Sequence, residues 1–148
     1  MPDTLSGDLT DVIGWRGTGL VLVIEDELLM CEVAREMLEA HGLTVLSATD
    51  GHQGVALFRE HAQDLRAVLL DLKLPGKSGE EVLGEIHHVH PQTPVILVTA
   101  LEERTTRPSL AGLPVAGFIQ KPFYLGPFLR KVREVLERRG VDSGGASG

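Results

Sequence analysis

The chain has 148 residues, with 14 Lys and Arg against 21 Asp and Glu, so its formal net charge is −7 when histidine is neutral. This length is typical of one domain, and a hydrophobic fraction of 43% supplies enough apolar side chains for one core. An acidic surface disfavours direct nucleic-acid binding, which depends on Lys and Arg. The single cysteine, Cys31, excludes an intrachain disulfide and favours a reducing, cytoplasmic compartment. No apolar run approaches the ~20 residues of a membrane span, and the first ten residues lack a signal-peptide pattern, so we expect no membrane contact.

The two ends of the chain differ in composition from its middle. Residues 1–18 carry scattered acids and glycines without a sustained period, which predicts an arm or linker, and Val12, Ile13 and Trp15 are its candidates for docking on the body. Residues 140–148 are mostly Gly, Ser and Ala, which favours a flexible tail. The folded domain is therefore predicted at residues 19–139.

Strand patterns and helix patterns alternate through this domain. Short apolar runs rich in β-branched residues predict strands that are buried on both faces, whereas apolar residues three and four positions apart predict helices. The predicted strands are Leu20–Ile24, Leu43–Ser47, Ala67–Leu70, Pro94–Val98 and Val115–Ile119. The predicted helices are Leu28–Ala40, Gly51–His61, Gly79–His88 and a last helix whose apolar stripe runs from Leu125 to Leu136.

The helix between the fourth and fifth strands is the weak element of this pattern. It belongs in Leu101–Leu113, where Pro108 would remove a backbone donor at a cost of about 3 kcal/mol, so we expect a short or broken helix. The alternation as a whole predicts an α/β fold, a doubly wound parallel sheet of five strands with helices on both faces. In such sheets, ligands bind beyond the carboxyl ends of the strands.

Charged and polar side chains follow four of these strands. They are Glu25, Asp26 and Glu27 after the first strand, Asp71 after the third, Thr99 after the fourth and Lys121 after the fifth. Clustered carboxylates repel one another and need a cation, and hard carboxylate oxygens suit Mg²⁺. Glu27 alone is interpreted as an acid in the first turn of a helix, where the helix dipole favours it.

This set of side chains suits phosphoryl transfer, which mainly requires positioning and neutralisation of the phosphoryl oxygens. Asp71 is the candidate nucleophile, because a carboxylate can form an aspartyl phosphate. Asp26, with Glu25, would hold the metal ion. Thr99 would donate a hydrogen bond to one phosphoryl oxygen, and Lys121 would pair with another.

Four segments around these residues resemble the response-regulator receiver domains of two-component signalling. The segments are Val21–Glu27, Leu69–Gly79, Pro94–Ala100 and Gly117–Phe123. The resemblance covers about residues 19–139. It implies a flavodoxin-like sheet with strand order 2-1-3-4-5 and the role of a regulatory phospho-acceptor, which takes part in its own phosphorylation and dephosphorylation but is not an enzyme.

The resemblance also assigns roles to individual residues. Asp71 is the implied phospho-acceptor, and Lys121, whose bond to Pro122 is usually cis in the family, is the implied ammonium group. Thr99 and Phe118 are the implied switch residues. The implied ligands of Mg²⁺ are Asp26, Asp71 and the backbone carbonyl of Lys73, with Glu25 nearby, often through water.

The implied partner is a histidine kinase or a histidine phosphotransfer protein. The run Gly14–Gly19 before the first strand further resembles the linker to the C-terminal receiver of hybrid histidine kinases. A stand-alone receiver is the alternative. The signal, the cognate kinase, the output partner, the phosphate lifetime and the oligomeric state stay open.

Three residues depart from the family pattern. Glu25 stands where Asp is commoner, Phe118 lacks the hydroxyl of a tyrosine switch, and Pro108 disturbs a helix within the face that most receivers use for output.

Two other functions compete with the phospho-acceptor. One is an Mg²⁺-dependent phosphatase of the aspartyl-phosphate type. Such hydrolases commonly carry a second Asp two residues after the nucleophile, and here that position is Lys73, so turnover should be slow. The other is a binding module that is never phosphorylated. The presence of Asp26, Asp71, Thr99 and Lys121 disfavours it.

Overall fold

Within residues 10–110 and 112–147, which the computed structural model describes, five strands alternate with five α-helices. The strands are β1 (Leu20–Ile24), β2 (Thr44–Ala48), β3 (Leu65–Asp71), β4 (Val95–Thr99) and β5 (Gly117–Gln120). The helices are α1 (Leu28–Ala40), α2 (Gly51–His61), α3 (Gly79–Val89), α4 (Glu103–Thr106) and α5 (Leu125–Ser147). The observed strands differ from the predicted ones by at most two residues at either end.

The strands form one parallel sheet in the order β2-β1-β3-β4-β5. This confirms the predicted doubly wound sheet and the strand order implied by the resemblance. The register places Ile24 of β1 beside Leu70 of β3. The residues that directly follow these two positions, Glu25 and Asp71, therefore lie next to each other at the carboxyl edge of the sheet.

Alternate residues of the central strands face two separate cores. Val21 and Val23 of β1 pack with α1 and α5 on one side of the sheet. Leu22 and Ile24 pack with α2 and α3 on the other side. Each of these four side chains is almost completely buried. Burial on both faces explains why the strands read as continuous apolar runs in the sequence.

The fourth helical segment is short, as the proline predicts. α4 has four residues and continues directly into a 3₁₀ helix, Arg107–Leu110, which contains Pro108. Leu110 nevertheless reaches the core that α2 and α3 share. The segment therefore packs on the same face of the sheet as α2 and α3, although it forms no full-length α-helix.

The described part of the predicted arm docks on the body through both apolar and charged contacts. Val12 is fully buried against the α1–α5 core and Trp15 packs on its edge, whereas Ile13 is 58% exposed. Asp11 accepts hydrogen bonds from Arg130 and Arg133 of α5. The docking expectation is therefore confirmed for two of its three candidates. Residues 1–9 of the arm lie outside the described residues.

A tight backbone contact anchors the end of the arm beside the end of α1. The N–H of Gly17 donates to the carbonyl oxygen of His41 at 2.7 Å. Gly42, which follows the C-cap residue of α1, has a φ of +96°, and a side chain there would collide with the carbonyl oxygen of Gly17. Glycine suits both requirements because it lacks a Cβ atom.

The last helix extends into the segment for which the composition predicts a flexible tail, and that tail stays a prediction. The backbone of α5 continues to Ser147 and so enters residues 140–148. Gly and Ser rank low in helix propensity, but no proline interrupts the segment, so its backbone can continue the helical hydrogen bonding. Gly148 lies outside the described residues, and the domain boundaries at 19 and 139 stay predictions. Among the described residues, no helix has the length and apolar character needed to cross a bilayer.

Replacement of Val12 tests whether the arm is part of the folded unit. Val12→Ala removes two buried carbon atoms and leaves a cavity, so we expect the free energy of unfolding in urea to fall by about 2 kcal/mol. The matched control is Ile13→Ala, at the exposed neighbouring position, which should change it by less than about 0.5 kcal/mol. Equal effects of the two substitutions would contradict the docked arm.

Candidate functional site

The candidate site lies at the topological switch point of the sheet, where the connections that follow two neighbouring strands run to opposite faces. The chain leaves β1 toward the α1 layer and leaves β3 toward the α3 layer, so a cleft opens between the carboxyl ends of these neighbouring strands. Asp71 is the last residue of β3, and Glu25 and Asp26 directly follow β1. Strand register thus brings Asp71 together with acids that precede it by 46 and 45 positions in the sequence.

Three carboxyl groups converge at this edge. Glu25, Asp26 and Asp71 each offer an oxygen atom, and these atoms all lie within 4.8 Å of one another. Glu25 and Asp71 are buried, whereas Asp26 is exposed. Backbone donors orient the buried pair: the N–H of Glu27 donates to Glu25 Oε2 at 3.1 Å, and the N–H of Lys73 donates to Asp71 Oδ1 at 3.2 Å.

Lys121 supplies positive charge to this cluster from the end of β5. Its Nζ lies 2.7 Å from Glu25 Oε1, 3.1 Å from Asp71 Oδ2 and 3.1 Å from Glu27 Oε1. Burial alone would lower the pKa of Lys121, but the hydrogen bonds to Glu25, Asp71 and Glu27 outweigh burial and raise it above its usual value. The side chain is therefore a permanent cation at neutral pH. Its bond to Pro122 is cis, as the resemblance implies.

The buried acid Glu25 titrates near neutrality. Burial raises the pKa of Glu25 from its ordinary value of 4.5 to about 7, and the nearby Asp71 adds to the increase. The hydrogen bond from Lys121 opposes this shift without cancelling it. One ammonium group is thus too little positive charge for the acids gathered here.

The remaining wall of the cleft comes from β4 and the loop after it. Thr99, Ala100 and Leu101 line the cleft together with Asp71 and Lys121. Thr99 is buried, and its hydroxyl oxygen accepts a hydrogen bond from the N–H of Leu101 at 3.1 Å. The backbone N–H of Lys121 donates to the carbonyl oxygen of Thr99 at 2.8 Å and holds the two strand ends together.

Phe118 of β5, the implied switch residue, lies half-buried against the α2–α3 core. The guanidinium carbon of Arg107 sits 4.9 Å from the centre of its ring, which is cation–π distance. Glu103 holds that guanidinium group through a hydrogen bond of 2.8 Å. The broken fourth helix therefore supplies the cation that covers this aromatic ring.

The donor set fits a divalent cation. Glu25, Asp26 and Asp71 present hard oxygen atoms close to one another. The N–H of Lys73 donates a hydrogen bond to Asp71, and this bond holds the backbone of Lys73 beside the three acids. Lys121 contributes one positive charge against these three acids, so a bound Mg²⁺ would complete the neutralisation.

Sequence reasoning missed the role of Glu27. The structure makes Glu27 the N-cap residue of α1, and its side chain binds Lys121 and not the helix end. The interpretation as an acid that merely favours the helix dipole is therefore incomplete. No local signal reveals this contact, because the two residues are 94 positions apart.

Comparison with known proteins gives the family of the chain. The family model described as the response regulator receiver domain matches residues 21–133. A probable transcriptional regulatory protein of Mycobacterium tuberculosis, TcrX, is 35% identical over 129 residues, which cover 84% of this chain and 53% of TcrX. The transcriptional regulatory protein CpxR of Klebsiella pneumoniae is 33% identical and covers 80% of this chain, with 49% of its own length aligned.

Solved structures agree with this result. A CheY-like receiver domain protein from Methanospirillum hungatei shares the fold with a TM-score of 0.78, at 23% identity, over 85% of this chain and 99% of its own. NtrX from Brucella abortus aligns with a TM-score of 0.80, at 25% identity, over 88% of this chain and 30% of its own. This chain belongs to the response-regulator receiver domain family of two-component signalling. It spans about half the length of the curated relatives that it matches.

The raised pKa of Glu25 predicts a pH-dependent stability in chelator. A carboxyl group whose pKa is higher in the folded chain stabilises that state at low pH, and this contribution is lost as the pH rises from 4.5 through about 7. Glu25→Gln stays neutral at every pH and loses no such contribution. The free energy of unfolding of the variant minus that of the wild type should therefore increase between pH 5 and 7 and stay constant above pH 7.

The control for this comparison is Glu32→Gln, which removes an exposed acid from α1. Denaturant titrations with EDTA at each pH should show the same pH dependence for this variant and the wild type. A constant difference between Glu25→Gln and the wild type across the pH range would contradict the assignment.

Proposed function

We propose that this receiver domain accepts a phosphoryl group on Asp71 and works as a regulatory switch. The observation that carries the proposal is the contact of 3.1 Å between Asp71 Oδ2 and Lys121 Nζ, in a cleft that also holds carboxylates suited to a divalent cation. A buried carboxylate is thereby combined with positive charge and with metal ligands. These are the components that phosphoryl transfer to a carboxylate requires.

In the proposed reaction, a carboxylate oxygen of Asp71 attacks the phosphorus atom of a phosphohistidine on a partner protein. The new O–P bond forms as the N–P bond breaks, and the histidine nitrogen keeps the electron pair of the broken bond. Lys121 pairs with one phosphoryl oxygen. Thr99 uses an acceptor site of its hydroxyl for Leu101, so the hydroxyl hydrogen can donate to a second phosphoryl oxygen.

We assign the metal site to Glu25, Asp26, Asp71 and the backbone carbonyl of Lys73. Bound Mg²⁺ would neutralise charge on the phosphoryl oxygens. Asp26 is the exposed carboxylate of the set, whereas Glu25 is buried and also held by Lys121, which suits a contribution through water.

Thr99 and Phe118 are the proposed route from the phosphorylated site to the surface. Phosphorylation adds charge and acceptor oxygens that bias an element with two positions. Because Phe118 has no hydroxyl, packing and the guanidinium group of Arg107 set the position of its ring. The surface around β4, the broken fourth helix and α5 is therefore where the change should be read out.

The proposed donor of the phosphoryl group is a histidine kinase or a histidine phosphotransfer protein, and the proposed compartment is the cytoplasm. The run Gly14–Gly19 supports a place after a kinase core, as in hybrid histidine kinases. The names of TcrX and CpxR point instead to transcriptional control by a longer response regulator. The sequence of the parent gene decides between these arrangements.

A phosphatase with its own turnover is less well supported. The backbone of Lys73 binds Asp71, but the side chain of Lys73 is a cation and offers no carboxyl group as acid or base. We therefore propose a regulatory phospho-acceptor and not a hydrolase of external phosphate esters.

Acetyl phosphate with Mg²⁺ tests the phospho-acceptor directly. Intact-mass spectrometry should show one added phosphoryl group on the wild type and none on Asp71→Asn, because the amide removes the nucleophilic oxygen. Asp64→Asn, which changes an exposed aspartate, is the matched control and should be modified like the wild type. EDTA should abolish the modification. Phosphorylation of Asp71→Asn to the extent of the wild type would refute the assignment.

A further inference from the structure

In the resting site, three carboxylates surround the ammonium group of Lys121. An ammonium group has three N–H donors and no acceptor. Glu25, Asp71 and Glu27 each place an oxygen atom within 3.1 Å of Nζ, so there is one carboxylate for each donor. A phosphoryl oxygen that pairs with Lys121 must therefore displace one of these three carboxylates.

Burial and anchoring indicate which carboxylate yields. Glu25 is 3% exposed, and the backbone N–H of Glu27 binds its second oxygen. Asp71 carries the phosphoryl group itself and is also held by the backbone of Lys73. The side chain of Glu27 is 62% exposed. Glu27 can rotate into solvent at the smallest cost in burial.

The position of Glu27 in the fold leaves its side chain free for this role. Glu27 is the N-cap residue of α1, yet its side chain makes no capping hydrogen bond to the helix. The hydrogen bond from its backbone N–H to Glu25 does not depend on the side chain. Loss of the contact with Lys121 therefore leaves the start of α1 intact.

We propose that Glu27 is a positioning residue that competes with the phosphoryl group for Lys121 and so favours the unphosphorylated state. The proposal rests on the function inferred above and adds a residue to it. In the resting protein, Glu27 holds the third donor of Lys121. In the phosphorylated protein, a phosphoryl oxygen takes that donor and Glu27 turns to solvent.

Two substitutions separate competition through contact from simple charge repulsion. Glu27→Gln keeps the length of the side chain and removes its charge. Glu27→Asp keeps the charge but is one methylene shorter, so we expect it to lose the contact of 3.1 Å with Nζ. Glu36→Gln removes an exposed acid farther along α1 and is the matched control for net charge.

The first measurement follows the side-chain NH₃⁺ signal of Lys121 by ¹H–¹⁵N NMR in metal-free protein. Glu27→Gln and Glu27→Asp should both shift this signal, and Glu36→Gln should leave it at its wild-type position. The experiment reports on the contact whether or not the protein is phosphorylated. An unchanged Lys121 signal in Glu27→Asp would overturn the proposal.

The second measurement uses beryllofluoride with Mg²⁺ as a phosphoryl analogue. Exposed ion pairs are worth about 0.2–1 kcal/mol, so the apparent Kd should fall by up to about fivefold in both Glu27 variants and stay unchanged in Glu36→Gln. Tighter binding by Glu27→Gln alone would indicate charge repulsion and overturn the competition. Equal affinities for all proteins would also overturn it while leaving the phospho-acceptor intact. No binding to the wild type would refute the proposed function itself.

Discussion

The contact between Lys121 and the acids at the sheet edge is the interaction on which the rest of this site depends. Burying Glu25 beside Asp71 is unfavourable unless positive charge lies near them, because burial and the neighbouring carboxylate both raise the pKa of Glu25. One lysine provides part of that positive charge. The pKa of Glu25 is still raised to about 7, so more positive charge would stabilise the ionised acids. The shortage of positive charge makes the resting cluster unfavourable and also favours the binding of a divalent cation. Charge imbalance is thus built into the site.

The parallel sheet is what allows distant segments to meet in this way. Carboxyl ends of parallel strands share one edge, so β1, β3, β4 and β5 deliver their next residues to the same cleft. Each face of the sheet packs against one of the two cores, and successive residues of each central strand point alternately into one core and the other. A change of register by one residue would exchange these sets and displace Asp71 from its partners. The positions of the acids are therefore fixed by the packing of Leu70 and its neighbours.

Patterns within one element were sufficient to predict most of this architecture. Buried strands such as Leu20–Ile24 and amphipathic helices such as α1 carry periodic signals, and Pro108 carries a backbone constraint that sequence alone reveals. The strand-end acids, Thr99 and Lys121 could be assigned to one site because alternation predicts a parallel sheet whose strands share one carboxyl edge, and the resemblance implies the strand order. Contacts made by exposed side chains were not accessible in this way. The bond of Glu27 with Lys121 and the stacking of Arg107 on Phe118 depend on rotamers and on loop paths that no periodicity encodes. Val12 lies in a segment too short to show a period, so the sequence could name it as a docking candidate but could not separate it from the exposed Ile13.

The docked arm has a geometric consequence for any larger assembly. Asp11 and Val12 fasten the chain to the layer of α1 and α5, whereas Phe118 packs toward the core of α2 and α3 across the sheet. A tether attached through residues 10–19 is thus anchored on one side of the molecule, and the ring of Phe118, the proposed switch residue, packs toward the other side. The receiver can be held by its own chain while the covered ring and the broken fourth helix stay clear of the anchor.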